Sequence, residues 1–341
     1  MTVVSRRLPV ICAAVFVGGA ALVGLLVGPV SLGVGEVLRS ALAHLPLVHV
    51  GSHLSQADDA ILWQLRAPRV VLGALVGGML ALAGASYQGV FRNPLADPYL
   101  LGIAAGAGLG ATLAIVYAPG VVHSYDLTPL AAFAGGAVGV VAAYSLGRSA
   151  GGRSTASLIL AGVTVTSFLT AVQTFVQQQH SQSLQEVYSW ILGHLDTAGW
   201  HEVALVTPYI LISAVVILMH RRVLDVLSVG DEEASSLGVN VRRTRLLVVV
   251  FATVGTAAAV AVTGLIGFVG IIVPHAIRLV LGPSYRLILP LSFLGGAGFL
   301  VLTDVIARSV MAPAELPIGV VTMFFGAPFF AIVLRTSRSF A

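Results

Sequence analysis

The sequence predicts an all-α, polytopic membrane protein of about ten spanning helices, with both termini in the cytoplasm. Three observations carry this expectation. Hydrophobic residues make up 57% of the 341 positions and charged residues only 9%. A soluble domain averages about 25% charged, so this chain cannot coat a water-facing surface of its size. The apolar residues fall in segments of about 20, the length that crosses a bilayer as a helix. The 18 basic residues are all arginine, and they concentrate in alternate loops, which is how charge orients helices in a membrane.

The first segment, at 8–29, follows Arg6 and Arg7. It has the outline of a signal peptide, but it is long for one and has no small-residue cleavage site leading to a soluble domain. It reads as a retained spanning helix. Cys12 within it is the single cysteine, so no internal disulfide and no cysteine-cluster metal site is possible. Residues 31–67 form an outer loop, with a short interfacial helix around 34–45. Spans follow at 68–90, 98–118, 127–147 and 155–177. Asn93-Pro94 and Asp97-Pro98 are turn formers between the second and third. Gly102, Gly106, Gly108 and Gly110 open the third with little bulk, which suits close packing or a pathway. Residues 177–202 form a second outer loop whose Trp190 and Trp200 suit the membrane–water interface. A sixth span, 203–220, leads to the longest inner loop, 221–245. Leu246 to Pro274 then carries no charge over 29 residues, too many for one ordinary span. Thr263-Gly264 divides it into spans at 246–263 and 265–281. The last two spans lie at 287–305 and 317–335.

An N-terminus in the cytoplasm places fourteen arginines inside and four, Arg39, Arg66, Arg69 and Arg308, outside. The positive-inside rule prefers that arrangement. It also explains the basic pI without nucleic-acid binding. The absence of lysine excludes a GxxxxGK phosphate loop, so ATP, if used, is bound by another chain.

Three sets of polar residues are functional candidates. The inner loop carries Asp225, a turn at Gly230, the acidic run Asp231, Glu232 and Glu233, and a second turn at Gly238. Acidic residues at the start of a short helix favour its N-terminus; taken alone, the segment reads as a solvated loop. Arg66, Arg69 and Arg308 run against the orientation rule. They either snorkel to headgroups or recognise carboxylates through the planar guanidinium fork. Pro68-Arg69 is also a helix-start anchor, and Asp304 and Glu315 are local partners for Arg308. The fifth span carries Thr164, Thr166, Ser167, Thr170, Gln173 and Thr174, several on one face. That stripe serves interhelical hydrogen bonding or lines a path. His180, His194 and His201 share an outer loop with Tyr188, either solvated or touching an iron-bearing ligand. His275 follows Pro274, a kink former, with no carboxylate near it in the span.

The runs RAPR (66–69), LAGASYQGVFRNPLADPYLLG (82–102), WILGHL (190–195), GDEEASSLGVNV (230–241), GLIGFVGIIVPHAIRLVLG (264–282) and APAELPIGVVTMFFGAPFF (312–330) resemble the permease subunits of iron-chelate and cobalamin importers of the ATP-binding-cassette class. The resemblance covers about residues 62–335. It implies one transmembrane permease domain over 1–341 that pairs with an identical copy in the lipid of a bacterial inner membrane. It implies two cytoplasmic ATPase subunits, which bind ATP and Mg, and a periplasmic binding protein. The permease itself would be no enzyme and would bind no cofactor, metal or nucleic acid. Arg66, Arg69 and Arg308 would dock the binding protein. The segment 221–245, through Asp225, Gly230, Asp231, Glu232, Glu233 and Gly238, would couple to the ATPase. Thr166, Thr170 and Gln173 would line the translocation path. The wording at 230–234 and 312–319 is most similar to haem members, which makes haem the expected cargo, with a ferric siderophore or cobalamin as alternatives. An ion-coupled secondary transporter usually needs charge within the membrane, and these spans hold almost no carboxylate. An intramembrane enzyme would need a zinc motif or paired aspartates, which are absent.

Overall fold

The computed structural model describes residues 3–28, 30, 32–43, 54–118, 127–149 and 155–337. Among them there is no strand. The helices are α1 (Val3–Leu26), α2 (Val34–Ala43), α3 (Gln56–Phe91), α4 (Ile103–Tyr117), α5 (Leu127–Ser149), α6 (Thr155–Gln179), α7 (Leu184–Ile191), α8 (Trp200–Met219), α9 (Arg221–Leu227), α10 (Asp231–Ser236), α11 (Val241–Thr263), α12 (Val269–Leu281), α13 (Tyr285–Ser309) and α14 (Ile318–Ser337). By length and composition seven are apolar enough to cross a bilayer, and the shorter apolar stretches α4, α12 and Ile318–Val333 of α14 accompany them. Arg153, Arg338 and the loop positions 44–53 and 119–126 lie outside the described residues.

Several boundaries differ from expectation. The helix expected from 68 begins at Gln56, because Ser55 caps it by accepting the Asp58 N–H at 3.1 Å, with Asp58 and Asp59 in the first turn. A π-helical stretch, Ile61–Arg66, then carries the chain into the bundle. The inner loop is shorter than 221–245. Asn240 caps α11 by accepting the Arg243 N–H at 3.0 Å, so Arg242, Arg243 and Arg245 belong to that helix. The break at Thr263-Gly264 stands, with Gly264 at φ +66°. The helix after it starts only at Val269 rather than 265.

Non-helical backbone in a membrane bundle is tolerated where protein buries and satisfies it, and buried Ile266 within the 264–268 break, with the flanking Thr263 and the 192–193 turn, meets that condition. The His194 N–H donates to the Thr263 carbonyl at 2.8 Å. The Tyr99 hydroxyl donates to the Ile266 carbonyl at 3.0 Å and accepts the Ile266 N–H at 3.2 Å. The Ile318 and Gly319 N–H groups reach the carbonyls of Gly193 and Leu192 at 3.2 and 3.0 Å.

Helix α3 is the hub, packing on α13, α11 and α12. Its most apolar window is 83% buried, against 11% for that of α1. Small residues set the approach. A Cβ on Gly84 would lie 1.9 Å from the Gly270 carbonyl, and one on Gly106 would lie 2.2 Å from that of Gly135. The glycine face of the third span is therefore a packing face against α5. The start of α3 meets the end of α13, and the end of α3 meets α10 and α11. The bundle thus has two polar ends.

Candidate functional sites at the two ends of the bundle

At the first end, Arg69 forks between two carboxylates. Its Nε and Nη2 donate to Asp304 Oδ1 at 3.0 and 2.8 Å. Its Nη1 and Nη2 donate to Glu315 at 3.0 and 2.7 Å. Arg308, only 4% exposed, sits one turn beyond Asp304, 3.6 Å from its Oδ2, and donates to the Gly24 carbonyl. Arg66, 5% exposed, donates to the carbonyls of Leu25 and Leu26 at 2.8 and 3.0 Å and to that of Val30. These two guanidiniums serve carbonyls that the C-terminus of α1 leaves unpaired. Glu315, expected beside Arg308, pairs instead with Arg69, because Arg308 is drawn inward to α1. A cleft of about 90 Å³ lies beside this network, lined by Arg69, Asp304, Glu315, His194 and Asp196. His194 Nδ1 is 3.3 Å from Asp196 Oδ1. That hydrogen bond holds the Asp196 carboxyl below its ordinary range, against the opposing effect of burial.

At the second end, Gly230 precedes α10, whose first turn is Asp231, Glu232 and Glu233. Asp231 is 3.1 Å from both Arg92 Nη2 and Arg245 Nη2. Glu232 and Glu233 are exposed, as are the flanking apolar residues Val229 and Leu237, at 71% and 72%. Gly238, at φ +81°, ends the helix. Asp225 faces inward. It accepts from the Tyr285 N–H, from Ser284 Oγ at 3.1 Å and from Arg286 Nε at 3.1 Å, and so ties α9 to the start of α13. Arg278, unremarked in the sequence, donates to Gln88 Oε1 at 3.1 Å, and Gln88 Nε2 reaches the Gly270 carbonyl at 3.2 Å.

Between the ends, the polar stripe of α6 divides. Gln173 is buried, donates to Thr112 Oγ1 at 3.1 Å and sits on Gly108. Thr170 is exposed and Thr166 partly so, beside the exposed rings of Phe168 and Phe175. Thr164, Ser167 and Thr174 hydroxyls return to carbonyls of their own helix at 2.9 Å. The histidines have separate surroundings. His180 packs edge-on to Tyr117 at 5.0 Å and His275 to Phe329 at 5.8 Å. His201 lies in the first turn of α8 and Tyr188 is exposed.

Charged clusters at both ends of a bundle of long apolar helices mark a multi-pass membrane protein. The chain belongs to the FecCD transport family, whose profile matches residues 14–336. It is 43% identical over 280 residues to the cobalamin import system permease protein BtuC of Halobacterium salinarum, covering 82% of this chain and 74% of that one. It is 39% identical over 296 residues to the hemin transport system permease protein HmuU of Yersinia pestis, covering 83% and 86%. A solved metal-chelate-type ABC transporter in an inward-facing conformation superposes with a TM-score of 0.81 at 27% identity, over 97% of this chain and 99% of that one. The chain is an ABC importer permease.

Proposed function

We propose that this single-domain chain, with ten membrane-spanning helices, works as a homodimer in the bacterial inner membrane and moves haem, or another iron chelate, into the cytoplasm. Both termini and the Asp231 end face the cytoplasm and two ATPase subunits. The Arg69 end receives a periplasmic binding protein. The observation that carries this reading is the contrast between the two ends. The first holds a largely buried guanidinium network already engaged with carboxylates and carbonyls, with Glu315 its most exposed member. The second presents an acidic helix, α10, flanked by uncovered apolar side chains, the composition of a surface that enters a partner's cleft.

Docking at Arg66, Arg69 and Arg308 then proceeds by exchange. The binding protein's carboxylates compete with Glu315 for Arg69 and with the α1 carbonyls for the other two. Coupling at 221–245 divides its labour. Asp225, Asp231 and the turns at Gly230 and Gly238 shape the segment, while Glu232 and Glu233 meet the ATPase. The exposed face of α6, with Thr166 and Thr170, lines the path at the dimer axis, and Gln173 anchors that helix to α4. ATP and Mg bind only in the ATPase.

The closeness of the cobalamin permease supports cobalamin as the second cargo reading. Transport assays in liposomes, with ATP on the ATPase side and haem, a ferric siderophore or cobalamin offered on matched binding proteins, separate them. Haem uptake that needs ATP is expected. Uptake of cobalamin or siderophore alone overturns the cargo and keeps the importer. No ATP-dependent uptake of any of the three overturns both.

A further inference from the structure

A cleft of about 660 Å³ at the Asp231 end lies between the end of α5, the start of α6 and the start of α11. Its walls have two characters. Among the described residues that line it, Arg148, Arg242 and Arg245 supply three guanidiniums against the one carboxylate of Asp231. Phe91, Leu101, Leu158, Leu246 and Val249 supply an apolar floor. Asp231 is already shared between Arg92 and Arg245, so it neutralises little of the cleft. Arg245 Nε is buried with no hydrogen-bond partner. Arg148, exposed, lies over the Tyr144 ring, 5.9 Å from its centroid. Neither Arg148 nor Arg242 has an ion-pair partner among the described residues.

From this arrangement we propose that the cleft is a binding site for an anionic phospholipid, with the headgroup phosphate between Arg148 and Arg242 and the acyl chains running along α5 and α11. Excess positive charge at one end of a membrane bundle attracts anionic headgroups. Guanidinium forks match phosphate oxygens in pairs. Free phosphate satisfies the cations but leaves the apolar floor uncovered. An acyl chain covers it, and its route is continuous with the exposed side chains Val141 on α5 and Leu246 and Val250 on α11, at 67%, 43% and 44%. The site stands on the membrane reading alone and is independent of cargo.

The full chain in neutral detergent tests this by native mass spectrometry, with phosphatidylglycerol and phosphatidylcholine titrated separately. Two arginines at the headgroup give phosphatidylglycerol a preference of roughly thirtyfold. Arg148→Gln with Arg242→Gln removes that preference, and Arg148→Glu alone does so from one exposed position. Arg39→Gln, at the opposite end, keeps it. Equal binding of the two lipids by the wild-type chain overturns the site, as does an unchanged preference in the double variant. Displacement of phosphatidylglycerol by excess inorganic phosphate overturns the lipid as occupant.

Discussion

The two ends of the bundle use the same ion-pair chemistry at different depths. At the Arg69 end the side chains of Arg69, Asp304 and Arg308 are 13%, 4% and 4% exposed. At the Asp231 end those of Arg92, Asp231 and Arg286 are 42%, 42% and 48% exposed, and those of Arg245 and Asp225 are 24% and 20%. A buried charge that loses its partner stays buried and unsolvated, whereas an exposed one is taken up by water. The first network therefore holds α1, α3 and α13 together and changes partners only by exchange. The second is free to form and break.

The sharpest way to break this comparison is Asp304→Ala. It strips a buried carboxylate from Arg69 and Arg308 together, and losing one partner of such a pair costs about 3–5 kcal/mol. A large drop in melting temperature in detergent is expected. A drop no greater than that of an exposed control would place this end in the same class as the other. A smaller loss, about 1–3 kcal/mol, is expected for Asp225→Asn. The amide turns one donor group toward Tyr285 N–H, Ser284 Oγ or Arg286 Nε, so one of them loses its acceptor. Because Asp225 ties α9 to α13, hydrogen exchange at the start of α13 should rise in that variant. Unchanged exchange there would show that Asp225 ties nothing.

Much of this was legible in the sequence because bilayer length and arginine bias act on whole segments. The break at Gly264 was readable from a charge-free run too long for one span. The acidic start of α10 was readable from Asp231-Glu232-Glu233. Partner choice was not, because it depends on rotations between helices distant in the chain. Arg69 meets Asp304 across 235 positions, and no local pattern encodes that distance. Arg66 and Arg308 were expected at an outer surface. They turn inward because the end of α1 offers them carbonyls, and a sequence does not say where one helix end lies against another. The inward role of Asp225 had a weak signal in Ser284-Tyr285, a helix start in need of an acceptor. Arg278 had one too, as a cation in the last turn of α12, where carbonyls go unpaired.

Asp97 sharpens the comparison by separating burial from pairing. It lies in the turn between α3 and α4, accepts the Tyr99 N–H at 2.7 Å and makes no ion pair among the described residues. Burial pushes its carboxyl up to about 6, against the opposing hydrogen bond. The sign follows from linkage. A folded-state value above the ordinary one near 3.9 stabilises the fold at lower pH, and that contribution is lost as pH rises through about 6. From pH 5 to 7.5 the loss is about 1 kcal/mol. Asp97→Asn keeps the acceptor and removes the proton, so melting curves at the two pH values should lie closer together than for the wild type. An unchanged spacing would show that Asp97 ionises as an exposed carboxyl does.

The smallest effect is expected at Asp231, where the comparison is most exposed to failure. Its pair with Arg92 is about two-fifths exposed on both sides and its pair with Arg245 less so, and exposed bridges contribute about 0.2–1 kcal/mol each. Asp231→Asn should therefore shift the melting temperature slightly, and less in high salt, where exposed charges are screened. Its effect on the ATPase should be larger than its effect on the fold. Freed of Asp231, Arg92 and Arg245 are left to rearrange around α10, the helix proposed to enter the partner. Binding of the ATPase subunits to the purified permease, compared between Asp231→Asn and wild type, measures this directly. Weaker assembly with a nearly unchanged melting temperature is the expected pair of results. A large melting shift with unchanged assembly would reverse the comparison and make the Asp231 end the structural one.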